Sequence, residues 1–338
     1  MIFRNALWHG RSWSAYMTGL VVTWLFVFAA DGAHAQTWPQ QGKPITIVSA
    51  YPAGGFSDVI ARVLGERLTE KLKVAVVVEN RPGAGGQLAA SHVKQQPPDG
   101  HTLWLGDVGP FATSRHLYTK LSYDMASDFV GVARLTQTPV LMVVPADSPL
   151  RSFEGLIQEA RRRDQGMLYG SQGAGLGSHL FTELMQRQLG GRLTHVPYKG
   201  SVPALIDLAS ARIEFMWDNA VTSGPYVRDG RLRALAVRAN KRMADFPDVP
   251  TMAELGHPQL NNSMLWGGVV VRAGTPPAVV RRVSEELLAA LRHPVTTKRF
   301  VDLYLEAAPQ GPAEFQRFIM AEDEKWGRVV RDTGIRIE

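Results

Sequence analysis

Two glycine-rich turns carry the residues best suited to chemistry. The first is Tyr51-Pro52-Ala53-Gly54-Gly55-Phe56-Ser57-Asp58. It stands between a strand pattern and a helix pattern. Gly54 and Gly55 leave the backbone bare and free in the sign of φ. Ser57 or Asp58 can cap the helix that follows. Backbone N–H groups at such a turn point out of a positive helix end, which suits an anion. A tight strand-to-helix turn without any ligand is the other reading.

The second turn runs from Tyr169 through Ser171, Gly173, Gly175 and Gly177 to Ser178 and His179. It spells G-x-G-x-G, not the G-x-G-x-x-G of dinucleotide folds. It lacks the lysine of a phosphate loop. Tyr169 stands two residues before Ser171, where a nucleophile elbow needs glycine. Neither turn holds a Lys or Arg. A carboxylate there would meet neutral N–H and hydroxyl donors, partly through water.

Other polar residues allow two readings each. His179 can donate to a ligand or serve as a cap or surface group. Asp218 follows the strand Phe215-Met216-Trp217 and can meet an amine or hydroxyl, or cap a helix. Tyr198, in the turn Tyr198-Lys199-Gly200-Ser201, can wall a pocket. Trp217 and Trp266 read as core. The nine histidines show no zinc spacing, and the chain has no cysteine, so thiol catalysis and thiolate metal sites are excluded. No carboxylate pair stands out as acid and base. No cofactor is expected.

These turns need a scaffold, and the pattern supplies one. From Pro44 onward, short β-branched runs alternate with amphipathic helices, as in Ile45–Val48 followed by Val59, Ile60, Val63, Leu64 and Leu68. Such alternation predicts an α/β fold with mostly parallel sheets flanked by helices. There is no internal repeat and no long linker. Two α/β lobes joined by crossing strands fit, with crossings near 136–139 and 264–268. The first lobe is then 36–136 plus 267–338, and the second is 137–266.

Hydrophobic residues make up 45% and charged residues 20% of the 338, which suits a globular core. The net charge of +6 is scattered, and Arg161-Arg162-Arg163 reads as a solvated helix face rather than a nucleic-acid arm. The N-terminus differs. Arg4, His9 and Arg11 precede an apolar run from Met17 to Ala30, then Ala33-His34-Ala35. The run is short for a membrane span, so 1–35 reads as a cleaved signal peptide. Without a cysteine the mature chain carries no lipid anchor, and the expected compartment is a periplasm.

Seven strings, in order, resemble one family: YPAGGFSD (51–58), ENRPGAGGQ (79–87), PPDGHTLWLG (97–106), GSH (177–179), HVPYKG (195–200), FPDVPTMAELG (246–256) and RAGTPP (272–277). The chain resembles the substrate-binding proteins of tripartite tricarboxylate transporters, the Bug family. The resemblance implies a two-lobed type II periplasmic binding fold, a Venus flytrap. It implies a small organic acid as ligand: an amino acid, hydroxy acid, aromatic acid, or di- or tricarboxylate. It also implies membrane permease subunits as partners, no nucleic acid, and a monomer. By the same resemblance Ala53, Gly54, Gly55 and Ser57 map onto a first-lobe cradle, with Phe56 beside it. Ser171, Gly173, Ser178, His179 and Tyr198 map onto second-lobe contacts, and Asp218 onto a position that helps choose the ligand. Gln87, the acidic and apolar run Asp107–Phe111, and Met125–Phe129 depart from the family pattern. An exported enzyme on this scaffold and a ligand-sensing subunit are the alternatives.

Overall fold

The computed structural model describes residues 38–260 and 265–337. The expected leader at 1–35 and the Met264 end of the second crossing lie outside the described residues. The strands are β1 Ile45–Ser49, β2 Val76–Asn80, β3 Thr102–Asp107, β4 Phe129–Thr138, β5 Val140–Pro145, β6 Met167–Ser171, β7 Leu193–Pro197, β8 Phe215–Asn219, β9 Leu232–Arg238, β10 Leu265–Arg272 and β11 Glu306–Gln310. The longer helices are α1 Phe56–Leu72, α2 Gln87–Gln95, α3 Phe153–Arg162, α4 Gly177–Leu189, α5 Ser201–Ala209, α6 Ala220–Arg228, α7 Pro277–Arg292, α8 Pro294–Asp302 and α9 Pro312–Thr333.

Two sheets result, ordered β11-β4-β10-β3-β1-β2 and β7-β6-β8-β5-β9. The expected α/β fold is present, but the sheets are mixed rather than mostly parallel. β1 pairs β2 and β3 in parallel, and β6 pairs β7 and β8 in parallel. β10 runs antiparallel to both β3 and β4. The cause is the crossing itself. β4 leaves the first sheet at Thr138, and β10 re-enters it with Leu265 opposite Thr138. An outgoing and a returning strand laid side by side must be antiparallel. β5 is likewise antiparallel to β8 and β9.

Side-chain caps start three of the nine longer helices. Ser152 Oγ accepts from Gly155 N at 3.0 Å and starts α3. Asn219 Oδ1 accepts from Thr222 N at 3.2 Å and starts α6. Sequence periodicity missed β4, α6, α8 and β11. α6 has Gly224-Pro225 inside it, which breaks the apolar repeat, yet its first residues Ala220 to Gly224 are buried. Burial against neighbours, not propensity, makes that helix.

Each sheet has apolar packing on both faces. One side of the first sheet is aromatic. Trp104 meets Phe111 edge-on at 4.8 Å, Tyr123 at 5.6 Å and Phe129 at 4.9 Å between ring centres. A Cβ at Gly106 would meet the Phe111 ring at 2.7 Å, so glycine lets that ring lie against β3. This packing sets the turn after β3, which carries Asp107.

Candidate functional site

The first turn differs from its sequence reading. Gly55, not Ser57 or Asp58, is the residue before α1, and it is extended (φ −76°). Gly54 takes the left-handed conformation (φ +76°). Asp58 lies in the first helical turn and accepts from Gly54 N at 2.9 Å, while Gly55 N donates to Pro52 O at 3.1 Å. Those two N–H groups are therefore satisfied within the turn. Arg62 and Asn80 also donate to Asp58, and together with Gly54 they hold its carboxyl below the usual range against the opposing effect of burial.

A cavity of about 60 Å³ is walled by residues of both sheets' layers. At roughly 10–15 Å³ per water centre it has room for a handful of waters or one small organic molecule. Gly55 and Phe56 at the start of α1 line it, as do Gly177 and Ser178 at the start of α4. Gly200 and Ser201 at the start of α5, and Asn219 ahead of α6, line it too. Four positive helix ends thus converge. First-turn N–H groups have no acceptor inside their own helix and carry partial positive charge.

Gly55, Phe56 and Ser178 are the sequence candidates on this wall. Gly173 and Tyr198 line an adjoining groove of about 200 Å³, which shares Tyr51, Pro52, Gln172 and Leu176 with the cavity. Ala53 and Gly54 sit exposed on the crest of the turn. Ser57 is fully buried, its Oγ 2.7 Å from Ser49 Oγ.

Ser171, His179 and Asp218 stand behind the wall. Ser171 Oγ is 2.6 Å from His195 Nε2, and His195 stacks on His179 with ring centres 3.9 Å apart. This is not a nucleophile with a base: Ser171 is fully buried, and the imidazole lies against another imidazole. His179 Nδ1 accepts from Gly175 N at 3.0 Å, which closes the second turn. Asp218 is a hub. Its Oδ1 accepts from Gln172 Nε2 and Ser201 Oγ, each at 2.6 Å, and from Asn219 Nδ2 at 3.3 Å. Its Oδ2 accepts from Thr222 Oγ1. Burial pushes its carboxyl up, and these donors oppose the shift. Asp218 thus orients Gln172, Ser201 and Asn219, which do line the cavity.

Sequence reasoning singled out Asp107 as a group that, facing the pocket ionised, would favour an amine or hydroxyl over a second carboxylate, but it missed the cation. It expected neutral turns without a basic group, yet Arg238, only 3% exposed, lines the cavity. Its guanidinium lies 3.4 Å from the centre of the Phe181 ring. Burial lowers it to about 9, so it is charged at neutral pH. Asp107, Glu322, Trp217 and Trp326 also line the wall. Trp217 Nε1 is buried and has no partner among the described residues. One signal existed for Arg238. It is a cation at the carboxyl end of the apolar strand β9, and open α/β sheets place ligands at that end.

The histidine pair predicts acid sensitivity. Burial, and then His179, lowers His195 to about 3; burial also lowers His179, partly offset by Glu183. The unfolded chain therefore binds more protons than the folded one below the ordinary value of 6.5. The contribution is fully present above that value and is lost as pH falls towards about 3. Asp107, raised to about 6 by burial, contributes with the opposite sign. Calorimetric melting should show Tm falling from pH 7 to pH 5, and the fall should be shallower in His195→Gln. Equal slopes in the two proteins would refute this assignment.

The family model described as the tripartite tricarboxylate transporter family receptor matches residues 60–335. The chain belongs to this family. The receptor is 32% identical to protein BugT of Bordetella pertussis over 323 residues, 94% of this chain and 98% of that one. It is 33% identical over 288 residues to the protein of the tcbD-tcbE intergenic region of Pseudomonas sp. strain P51, 85% of each chain. Among solved structures, the receptor matches an R. palustris protein with adipate at TM-score 0.84 and 35% identity, covering 88% of this chain and 99% of that one. MatC from Rhodopseudomonas palustris with bound malate matches at TM-score 0.80 and 30% identity, covering 86% and 100%. The periplasmic binding protein BugD matches at 0.83 and 28%, covering 88% and 100%. The receptor thus has the two-lobed α/β fold of periplasmic binding proteins.

Proposed function

We propose that this receptor captures a small organic acid in the periplasm and delivers it to the permease subunits of a tripartite tricarboxylate-type transporter. The observation that carries this reading is the convergence of four helix N-termini on one cavity whose wall includes Arg238. Oriented N–H groups and a guanidinium favour an anion. Relatives solved with adipate and malate support the class. The lobes are 36–136 plus 267–338 and 137–266. Both supply wall residues, so a ligand binds the closed arrangement best. The receptor acts as an exported monomer.

Native mass spectrometry of freshly purified protein, then calorimetry against a panel of carboxylic acids, identifies the ligand. The methyl ester of any acid that binds should bind on the order of 100-fold more weakly, since hydrogen bonds to a charged group contribute about 1.5–3 kcal/mol. An ester that binds as tightly as its acid would refute the carboxylate reading.

A further inference from the structure

The cavity holds both signs of charge, and they are not equally occupied. Glu322 accepts from Trp266 Nε1 at 3.0 Å and Trp326 Nε1 at 3.2 Å, while Lys325 lies 3.0 Å from its other oxygen. Its oxygens are engaged by the protein. Asp107 is different. Tyr51 OH and Gly109 N both donate to Oδ1, each at 2.9 Å. Oδ2 has no partner among the described residues, although Asp107 is only 4% exposed. A carboxylate oxygen on a cavity wall with no protein donor is open to a donor from a ligand. Arg238 lines the same cavity from the other sheet, and its planar fork carries five N–H donors.

We propose that Asp107 and Arg238 are the specificity-determining residues of the cavity and select a zwitterionic acid. The carboxylate faces Arg238 and the helix ends, and the ammonium faces Asp107 Oδ2. The inference rests on the carboxylate reading above and narrows it. Asp107 repels a second carboxylate, so a plain dicarboxylate is disfavoured. Such a ligand enters with no net charge and brings a donor to Asp107 Oδ2.

The test is calorimetry on acids matched in skeleton: L-alanine with propionate, L-glutamate with glutarate, and L-phenylalanine with 3-phenylpropionate. In the native protein the aminated member of the binding pair should bind at least tenfold more tightly. Asp107→Asn should bring that ratio close to one. Arg238→Gln should weaken both members and leave the ratio. Melting curves establish that each variant is folded, and the native ratio needs no variant. If the unaminated acid binds as tightly as its partner, or Asp107→Asn leaves the ratio intact, this proposal fails while the carboxylate reading stands. If no carboxylic acid of either kind binds the native protein, both fail.

Discussion

Trp104→Ala should destabilise the protein by about 3–5 kcal/mol, the usual cost of emptying a buried tryptophan site. Trp104 is fully buried on β3, between Val48 of β1 and Val270 of β10. Phe111, Tyr123 and Phe129 close around it and cannot collapse into the space without leaving their own contacts. Its indole Nε1 has no partner among the described residues. Trp104→Phe should cost clearly less, because the phenyl ring refills most of the space and no hydrogen bond is lost. The effect should reach the site. Phe111 is held edge-on to Trp104 and follows Asp107 by one turn, so loosening it should also weaken ligand binding. Urea unfolding followed by circular dichroism measures the loss, and calorimetry measures the binding. If Trp104→Ala unfolds at the native urea concentration, this cluster does not anchor the lobe. A two-lobed chain need not unfold in one step, so the first transition is the one to compare.

Asp218→Ala should nearly abolish binding and also lower stability. Four side-chain donors converge on this carboxylate: Gln172, Ser201, Asn219 and Thr222. Each buried donor left without an acceptor costs about 1–3 kcal/mol. The Ser201 and Thr222 hydroxyls can rotate to other acceptors. The Gln172 and Asn219 amides are less free, because Gln172 Oε1 already accepts from Ser178 Oγ. Gln172, Ser178 and Ser201 all line the cavity, so losing the hub disorders one side of the wall. Asp218→Asn keeps an acceptor and should be milder in both readouts. Binding affinity and melting temperature, measured together, separate the two effects. Native affinity in a folded Asp218→Ala protein would show that the network does not shape the site.

The alternation of β-branched runs and amphipathic helices determined the α/β class, because side-chain period follows backbone geometry directly. The spacing of Gly54 and Gly55, and of Gly173 to Gly177, marked both strand-to-helix turns, and Gly55, Phe56 and Ser178 do line the cavity. These features are local, and a local rule reads them. The direction of β10 is not local. It depends on where Leu265 pairs, with Thr138, more than a hundred residues earlier in the chain. The same holds for the charges. Asp107 ends a strand of one sheet and Arg238 a strand of the other, and nothing in their spacing brings them to one cavity. Ser171, His179 and Asp218 show the reverse case. They lie in or beside the right motifs, but their partners turn them to the back of the wall. Sequence decides which elements form, because propensity and period act over a few residues; which side chains face a shared space is decided by packing between elements far apart in the chain.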